Sequence, residues 1–266
     1  MTTEYTGRGD PARSMALLWR APDRPTSGRG RKPGLSVDRI VRAAIEVADA
    51  EGLGALSMRR MAEHLGVGTM SLYTYIPAKA ELLDVMLDTV VAETARPDDT
   101  GDGWRARLEL IARENWGLYH RHPWLLQVAA TSRPPLGPNL IAKYDYELRA
   151  LVDIGLNEVE MDSVLTLVLG YVHGAARGAV DASQAEASTG MTDEQWWRAY
   201  EPFLARALDP QRFPTASRVG SVVGEQFGSA YDAGHTFEFG LQRVLDGIAS
   251  FVGSRSEAAG PDDPAT

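Results

Sequence analysis

From Ser36 onward the chain follows a helical period. Ile40, Val41, Ala44, Ile45 and Ala48 recur at i, i+4 spacing and mark one buried face. Ser36 is placed as the N-cap of that helix, Asp38 sits near its positive end, and Gly52 and Gly54 stop it. The next stretch, SMRRMAEHLGVGTMSLYTYIPAK at 57–79, reads as two short helices around a tight turn. Ser57 caps the first, with Leu56 and Met61 at the positions of a hydrophobic staple. Ala62 is small enough for two helices to approach closely, and Gly66 tolerates left-handed backbone at a helix end. Val67 plugs the turn into the core, and Leu72 points back into the pair. The second helix is predicted over 69–75. Pro77 suits the first turn of a further helix over 77–93. That helix's apolar positions, Leu82, Leu83, Met86, Leu87 and Val90, run on too far for a three-helix domain alone, so it also packs on a second domain.

The polar, Gly/Pro-bearing RPDDTGDG at 96–103 is the clearest boundary. Beyond it the pattern predicts helices over 104–120, 123–130 (opened by Pro123), 139–156, 158–187, from Thr192 through WWRAYEPFLARAL, and over 231–252. The stretch 212–228, rich in Gly and Ser, reads as irregular. No strand alternation and no repeat occurs. The expected fold is all-α: an N-terminal three-helix helix-turn-helix domain with a larger C-terminal helical bundle behind a disordered N-terminal arm. The expected divisions are an arm at 1–34, a DNA-binding domain with its connector helix at 35–93, a ligand-binding and dimerisation bundle at 102–254, and a disordered tail at 255–266. A helix-turn-helix lays its second helix in the DNA major groove. Small–Gly–apolar spacing alone would also suit any helical hairpin with a Gly turn.

The longer pattern is more specific. IVRAAIEVADAEG, LSMRRMAEHLGVG and TMSLYTYIPAKAELLDVM resemble the first helix, the second helix with its turn, and the recognition helix with the start of the fourth helix of the TetR family of bacterial transcriptional regulators. The resemblance runs from Leu35 to about Glu93. It implies a homodimeric regulator, a repressor that releases a palindromic double-stranded DNA operator when a small-molecule effector binds. It also implies a dimer built from the last long helices. Control of an antibiotic efflux or biosynthesis gene is an expectation by analogy. The alternatives are an all-helical small-molecule carrier or enzyme with an incidental hairpin, and a TetR-like activator without ligand control.

Charge supports one docking orientation. The chain's formal net charge is −9, but residues 1–34 carry seven Lys or Arg against three acids, while 35–93 carry five against nine. Arg24, Arg29, Arg31 and Lys32 form a basic cluster that is either a solvated tail or an arm for the minor groove. Met15–Trp19 within the arm could instead be a docking patch. On the recognition helix, Thr69, Ser71 and Thr74 offer hydroxyls and Met70 can touch thymine methyls. Tyr73, Tyr75 and Lys79 can reach phosphates. By resemblance Arg59 is the helix-2 residue that reaches bases, and its fork suits guanine. Arg60 reads as a phosphate contact or a solvated side chain.

The second half is rich in aromatic and polar-tipped residues. Trp116, His120, Trp124, Gln127, Tyr144, Tyr171, His173 and Trp196 are candidates for a ligand pocket, and core packing is the alternative for each. His120 and His122, two apart, do not share a helix face, so no metal site is expected. QVAATSRP, which resembles the stretch where tetracycline-binding members of the family carry a histidine for a magnesium chelate, has no His, so a magnesium–tetracycline ligand is not expected, and no cofactor is expected either. No catalytic motif is present, which points away from an enzyme. Two stretches, near 161–180 (Leu165, Leu169, Val172, Ala176, Ala179) and 237–252 (Phe237, Leu241, Val244, Leu245, Ile248, Phe251), could form the dimer interface or the protomer core. The chain has no cysteine and no apolar run near the ~20 residues of a membrane span, so a cytoplasmic protein without membrane contact is expected.

Overall fold

The computed structural model describes residues 6–7, 9–21, 34–97, 103–128 and 133–258. Among them are twelve α-helices and no strand: α1 Pro11–Leu18, α2 Val37–Glu51, α3 Met58–Leu65, α4 Thr69–Tyr73, α5 Lys79–Val90, α6 Gly103–Arg121, α7 Leu125–Val128, α8 Pro138–Leu148, α9 Glu158–Thr189, α10 Asp193–Ala207, α11 Pro214–Phe227 and α12 Ala233–Ala258. The ends are set where local chemistry sets them. Ser36 accepts the Arg39 amide at 3.3 Å at the start of α2, and Gly52 closes that helix at φ +79°. Asn157 with Glu160, and Thr192 with Gln195, form capping boxes at α9 and α10.

Two cores result. The first gathers α2, α3, α4 and α5 around Ile40, Leu56, Met61, Leu72, Ile76 and Met86 and takes in Trp124 from the bundle side. The second packs α6, α9 and α12 around Leu108, Ile111, Val168, Val172, Leu241 and Leu245. Helix α5 joins them. Nine of its twelve residues are buried, so it is an internal rod rather than an amphipathic surface helix. By length and composition α9 could cross a membrane. Its Val164, Leu165, Val168 and Val172 are instead buried in the second core.

Several expectations change. Within the arm expected to be disordered, Asp10 caps a helix, α1, by accepting from the Arg13 amide at 3.0 Å, with Pro11 in its first turn. Leu18 is buried in the first core, so the docking alternative for this stretch is the one seen. Arg24, Arg29, Arg31 and Lys32, and 259–266 of the tail, lie outside the described residues. Pro77 precedes α5, whose N-cap is Ala78. The stretch 212–228 is not irregular: Pro214 opens α11 and left-handed Gly228 ends it. The apolar positions offered for dimerisation are mostly interior. Leu165, Val172, Ala176, Phe237, Leu241, Leu245 and Ile248 are buried in the protomer's own core.

Candidate DNA-reading head and ligand cavity

The reading head is built by three local devices. Ser57 Oγ accepts the Arg60 amide at 3.1 Å and starts α3. Gly66 adopts φ +68°, ψ 37°, and the Val67 amide turns back onto the Ala62 carbonyl at 3.0 Å. Buried Ala62 lets α4 cross close to α3. Leu72 is then fully buried, which forces the rest of α4 outward. Met70 is 78% exposed, Tyr73 43% and Tyr75 38%. Ser71 and Thr74 are exposed too, while Thr69 and Lys79 are half-buried. All of these residues except Lys79 sit on or just after one five-residue helix, shorter than the 69–75 expected.

Two arginines divide their work. Arg60 is tied to Glu51 at the end of α2 by short, bidentate contacts, which link α3 to α2. That pairing raises the Arg60 pKa and lowers that of Glu51. Arg59 pairs with Glu63 at 3.0 Å, and its side chain is 87% exposed. So exposed a pair costs little to exchange for a base.

Behind the head, a cavity of about 520 Å³ opens between α5, α6, α8 and α9. Leu87 and Val91 of the connector region form one wall, with Leu118, Leu140 and Leu165 beyond them. Its polar end holds a buried ion pair, Lys143 Nζ to Glu147 Oε1 at 2.5 Å, and Asn115 Nδ2 donates to the same carboxylate at 2.8 Å. The pair is neutral as a unit. Tyr144 donates its hydroxyl to Asp162 Oδ1 at 2.7 Å, and this bond, with burial, raises its pKa. Burial, and secondly the Glu147 charge, push Tyr119 up to about 12, so it stays a neutral phenol. His173 meets Tyr119 edge-on at 5.5 Å. Desolvation, then Arg177, hold its pKa below 6.5.

Of the pocket residues expected from sequence, Tyr144 and His173 line this cavity. The other six do not. Trp116 stacks on Phe237 at 4.1 Å and meets His120 at a 45° tilt at 4.5 Å. Trp124 is buried and donates to Asp49 at 2.8 Å. Gln127 is exposed. The Tyr171 hydroxyl reaches the carbonyls of Thr236 and Phe237 at 2.9 and 2.8 Å, and Trp196 stacks on exposed Tyr200 at 4.6 Å. Trp116, Trp124 and Tyr171 are engaged within the protomer, an arrangement that helical spacing does not distinguish from ligand contact. Asn115, Lys143, Glu147 and Asp162 were missed. The signal for two of them was the Lys143–Glu147 i, i+4 pair, which reads from sequence as a surface bridge. His122 is buried, its ring nitrogens on Asp49 at 2.8 Å and Glu93 at 3.0 Å, so it ties head to bundle. Both carboxylates take up that ring's nitrogens, and among the described residues no group of three or more His, Asp or Glu is arranged to hold a metal ion.

Residues 40–86 match the family described as bacterial regulatory proteins, tetR family, and residues 96–252 match the tetracyclin repressor-like C-terminal domain. The chain is 48% identical over 261 residues to the HTH-type transcriptional repressor DrrR1 of Streptomyces coeruleorubidus, covering 98% of this chain and 93% of that one. The chain belongs to the TetR family. It is therefore a helix-turn-helix transcriptional regulator. Another relative is the tetracycline repressor protein class A from transposon 1721 of Escherichia coli, 27% identical over 219 residues, 81% of this chain and 91% of that one. Among solved structures, ActR of Streptomyces coelicolor in complex with actinorhodin superposes with a TM-score of 0.67 at 28% identity, covering 82% of this TetR-family chain and 97% of ActR.

Proposed function

We propose that the protein is a homodimeric repressor, acting in the cytoplasm, that releases a palindromic operator when a small molecule fills the cavity. One observation carries this reading: Leu87 and Val91, from α5 and the turn after it, belong to the cavity wall, and α5 also packs into the core of the reading head. An occupant that prefers a shifted α5 must thereby disfavour the DNA-binding arrangement, by linkage. Thr69, Met70, Ser71, Tyr73, Thr74 and Tyr75 read bases and phosphates, with Arg59 reaching guanine and Lys79 adding charge. Arg29, Arg31 and Lys32 are assigned to the adjacent minor groove. The occupant's chemistry follows from the walls. It is largely apolar, elongated or planar, and hydrogen-bonds at one end to Lys143–Glu147, Asn115 and neutral His173. The relative named a repressor and the ActR complex with actinorhodin support the class of function.

The experiment is a duplex selection with full-length protein, followed by titration of the selected duplex in the presence of candidate effectors, beginning with actinorhodin. The reading expects a two-fold symmetric sequence, bound by a dimer and released by an effector. Selection of no sequence, or of an asymmetric one bound by a monomer, contradicts it.

A further inference from the structure

The connector α5 carries an acidic stripe that neither base reading nor the cavity uses. Glu81, Asp84 and Asp88 recur at i, i+3 and i+7 and share a face. All three are buried. A buried carboxylate is tolerated only where donors meet it. Here the described donors come from two places. Glu81 Oε1 accepts the Asp10 amide at 3.0 Å, and Asp84 accepts the Gly7 amide at 2.9 Å and the Ser14 hydroxyl at 2.8 Å. Asp88 accepts the Leu140 amide at 2.9 Å and the Asn139 side chain at 3.2 Å. It thereby caps α8, whose own N-cap, Gly137, has no side chain to offer.

So α5 grips the N-terminal segment at one end and a cavity wall at the other. The circuit is closed outside α5. Trp19 donates its indole N–H to the Leu136 carbonyl at 2.8 Å, and Thr6 donates to the Val128 carbonyl at 3.2 Å. Arg20 pairs with Asp38 in the first turn of α2. The fit is close: a Cβ at Gly9 would lie 2.8 Å from Glu81 Oε1, and one at Gly137 would overlap the Asp88 carboxylate. Leu136 and Leu140 are themselves cavity residues. The N-terminal segment therefore touches the connector, the reading head and the cavity rim.

We propose that residues 6–7 and 9–20 are a strap that sets the angle of the reading head, with Ser14 and Trp19 as positioning residues for operator binding. The strap holds α5 and the 133–141 wall as one body. It supplies the described donors to Glu81 and Asp84, so loosening it removes the partners that hold these α5 carboxylates in place. This rests on the DNA-binding reading above and goes beyond it, because the strap residues themselves need touch no DNA.

The test uses full-length protein and two mild variants that leave every charge in place. Trp19→Phe keeps an aromatic ring and removes the N–H, and Ser14→Ala removes the hydroxyl on Asp84. Hydrogen exchange is followed along the chain, together with affinity for the duplex selected by the parent protein. Exchange should rise about tenfold at 79–90 and 138–142 as well as in the strap, because the three are one cooperative unit. Duplex affinity should fall about tenfold with an unchanged slope of log affinity against log salt, because no phosphate contact is lost. Exchange that rises only within the strap, with affinity equal to the parent's, overturns the proposal. A flattened salt slope also overturns it, by making the strap a DNA contact. If the parent selects no duplex the functional reading fails by itself, and the exchange pattern still judges the strap.

Discussion

At Leu72 and Tyr73 two neighbouring residues are sent in opposite directions, and the proposed base reading rests on that split. Leu72 is fully buried, whereas Tyr73 leaves 43% of its surface to solvent beside Met70. Tyr73→Ala should therefore remove contact without disturbing the core. The expected loss is about 10- to 100-fold in operator affinity, the scale of one good base or phosphate contact. The thermal midpoint and the dimer should be unchanged, and fluorescence polarisation beside sedimentation checks all three. Arg59→Ala should behave likewise, because its Glu63 pair is exposed and contributes little to stability. His173 gives a pH signature. Its pKa is lowered in the folded state, first by desolvation and then by Arg177. Below 6.5 the unfolded chain therefore binds the proton more readily than the native one. The stability it contributes is full above that value and is lost as pH falls through the lowered folded value. His173→Gln should flatten that part of the stability–pH curve, measured by urea unfolding between neutral and mildly acidic pH.

At the scale of elements, the α3–turn–α4 unit is governed by local backbone chemistry. Gly66 sits at φ +68°, and a Cβ there would meet nothing within 4 Å. Any penalty for Gly66→Ala is thus conformational rather than steric, about 1–2 kcal/mol for a left-handed residue. Urea denaturation should show that loss, and specific duplex binding should weaken with it. Such locality explains what was legible in the sequence. Ser57, Ala62, Gly66 and Leu72 act within a few residues of one another, so their order along the chain already describes the unit. Helix α11 was not legible for the opposite reason. Its Gly224 looks like a helix breaker, yet a Cβ there would lie 2.7 Å from the Trp197 ring, so packing from α10 demands the glycine. The cavity was half legible. Tyr144 and His173 carry their own polar tips. Lys143 and Glu147 look like a surface bridge until α6 brings Asn115 against them.

On the scale of the whole molecule, the protomer leaves apolar surface that it does not itself cover. Helix α10 has no buried residue and shows Tyr200, Phe203 and Leu204 to solvent, and α11 shows Val219 and Val222. A fifteen-residue helix gains little stability alone, and contiguous apolar patches of this kind mark interaction surfaces. The outer sides of α9 and α12 are also open. Leu167, Phe239 and Phe251 are exposed, and a Cβ at Gly174 or Gly247 would meet nothing. A second copy is the proposed cover, because a five-residue reading helix spans too few bases to select a site alone and paired heads stand ~34–36 Å apart. This separates interface from core where helical spacing could not. Leu165, Val172, Leu241 and Leu245 are already spent inside the protomer, so the interface must use the faces between them. Phe251→Glu should then move the protein from dimer to monomer in sedimentation velocity at micromolar concentration, with the helical circular-dichroism signal retained. Leu245→Glu should instead unfold the bundle. Operator affinity in Phe251→Glu should fall at least 100-fold, because each head then binds its half-site without the other. Retention of the dimer in that variant would move the interface to α10 and α11, where Phe203→Glu repeats the test.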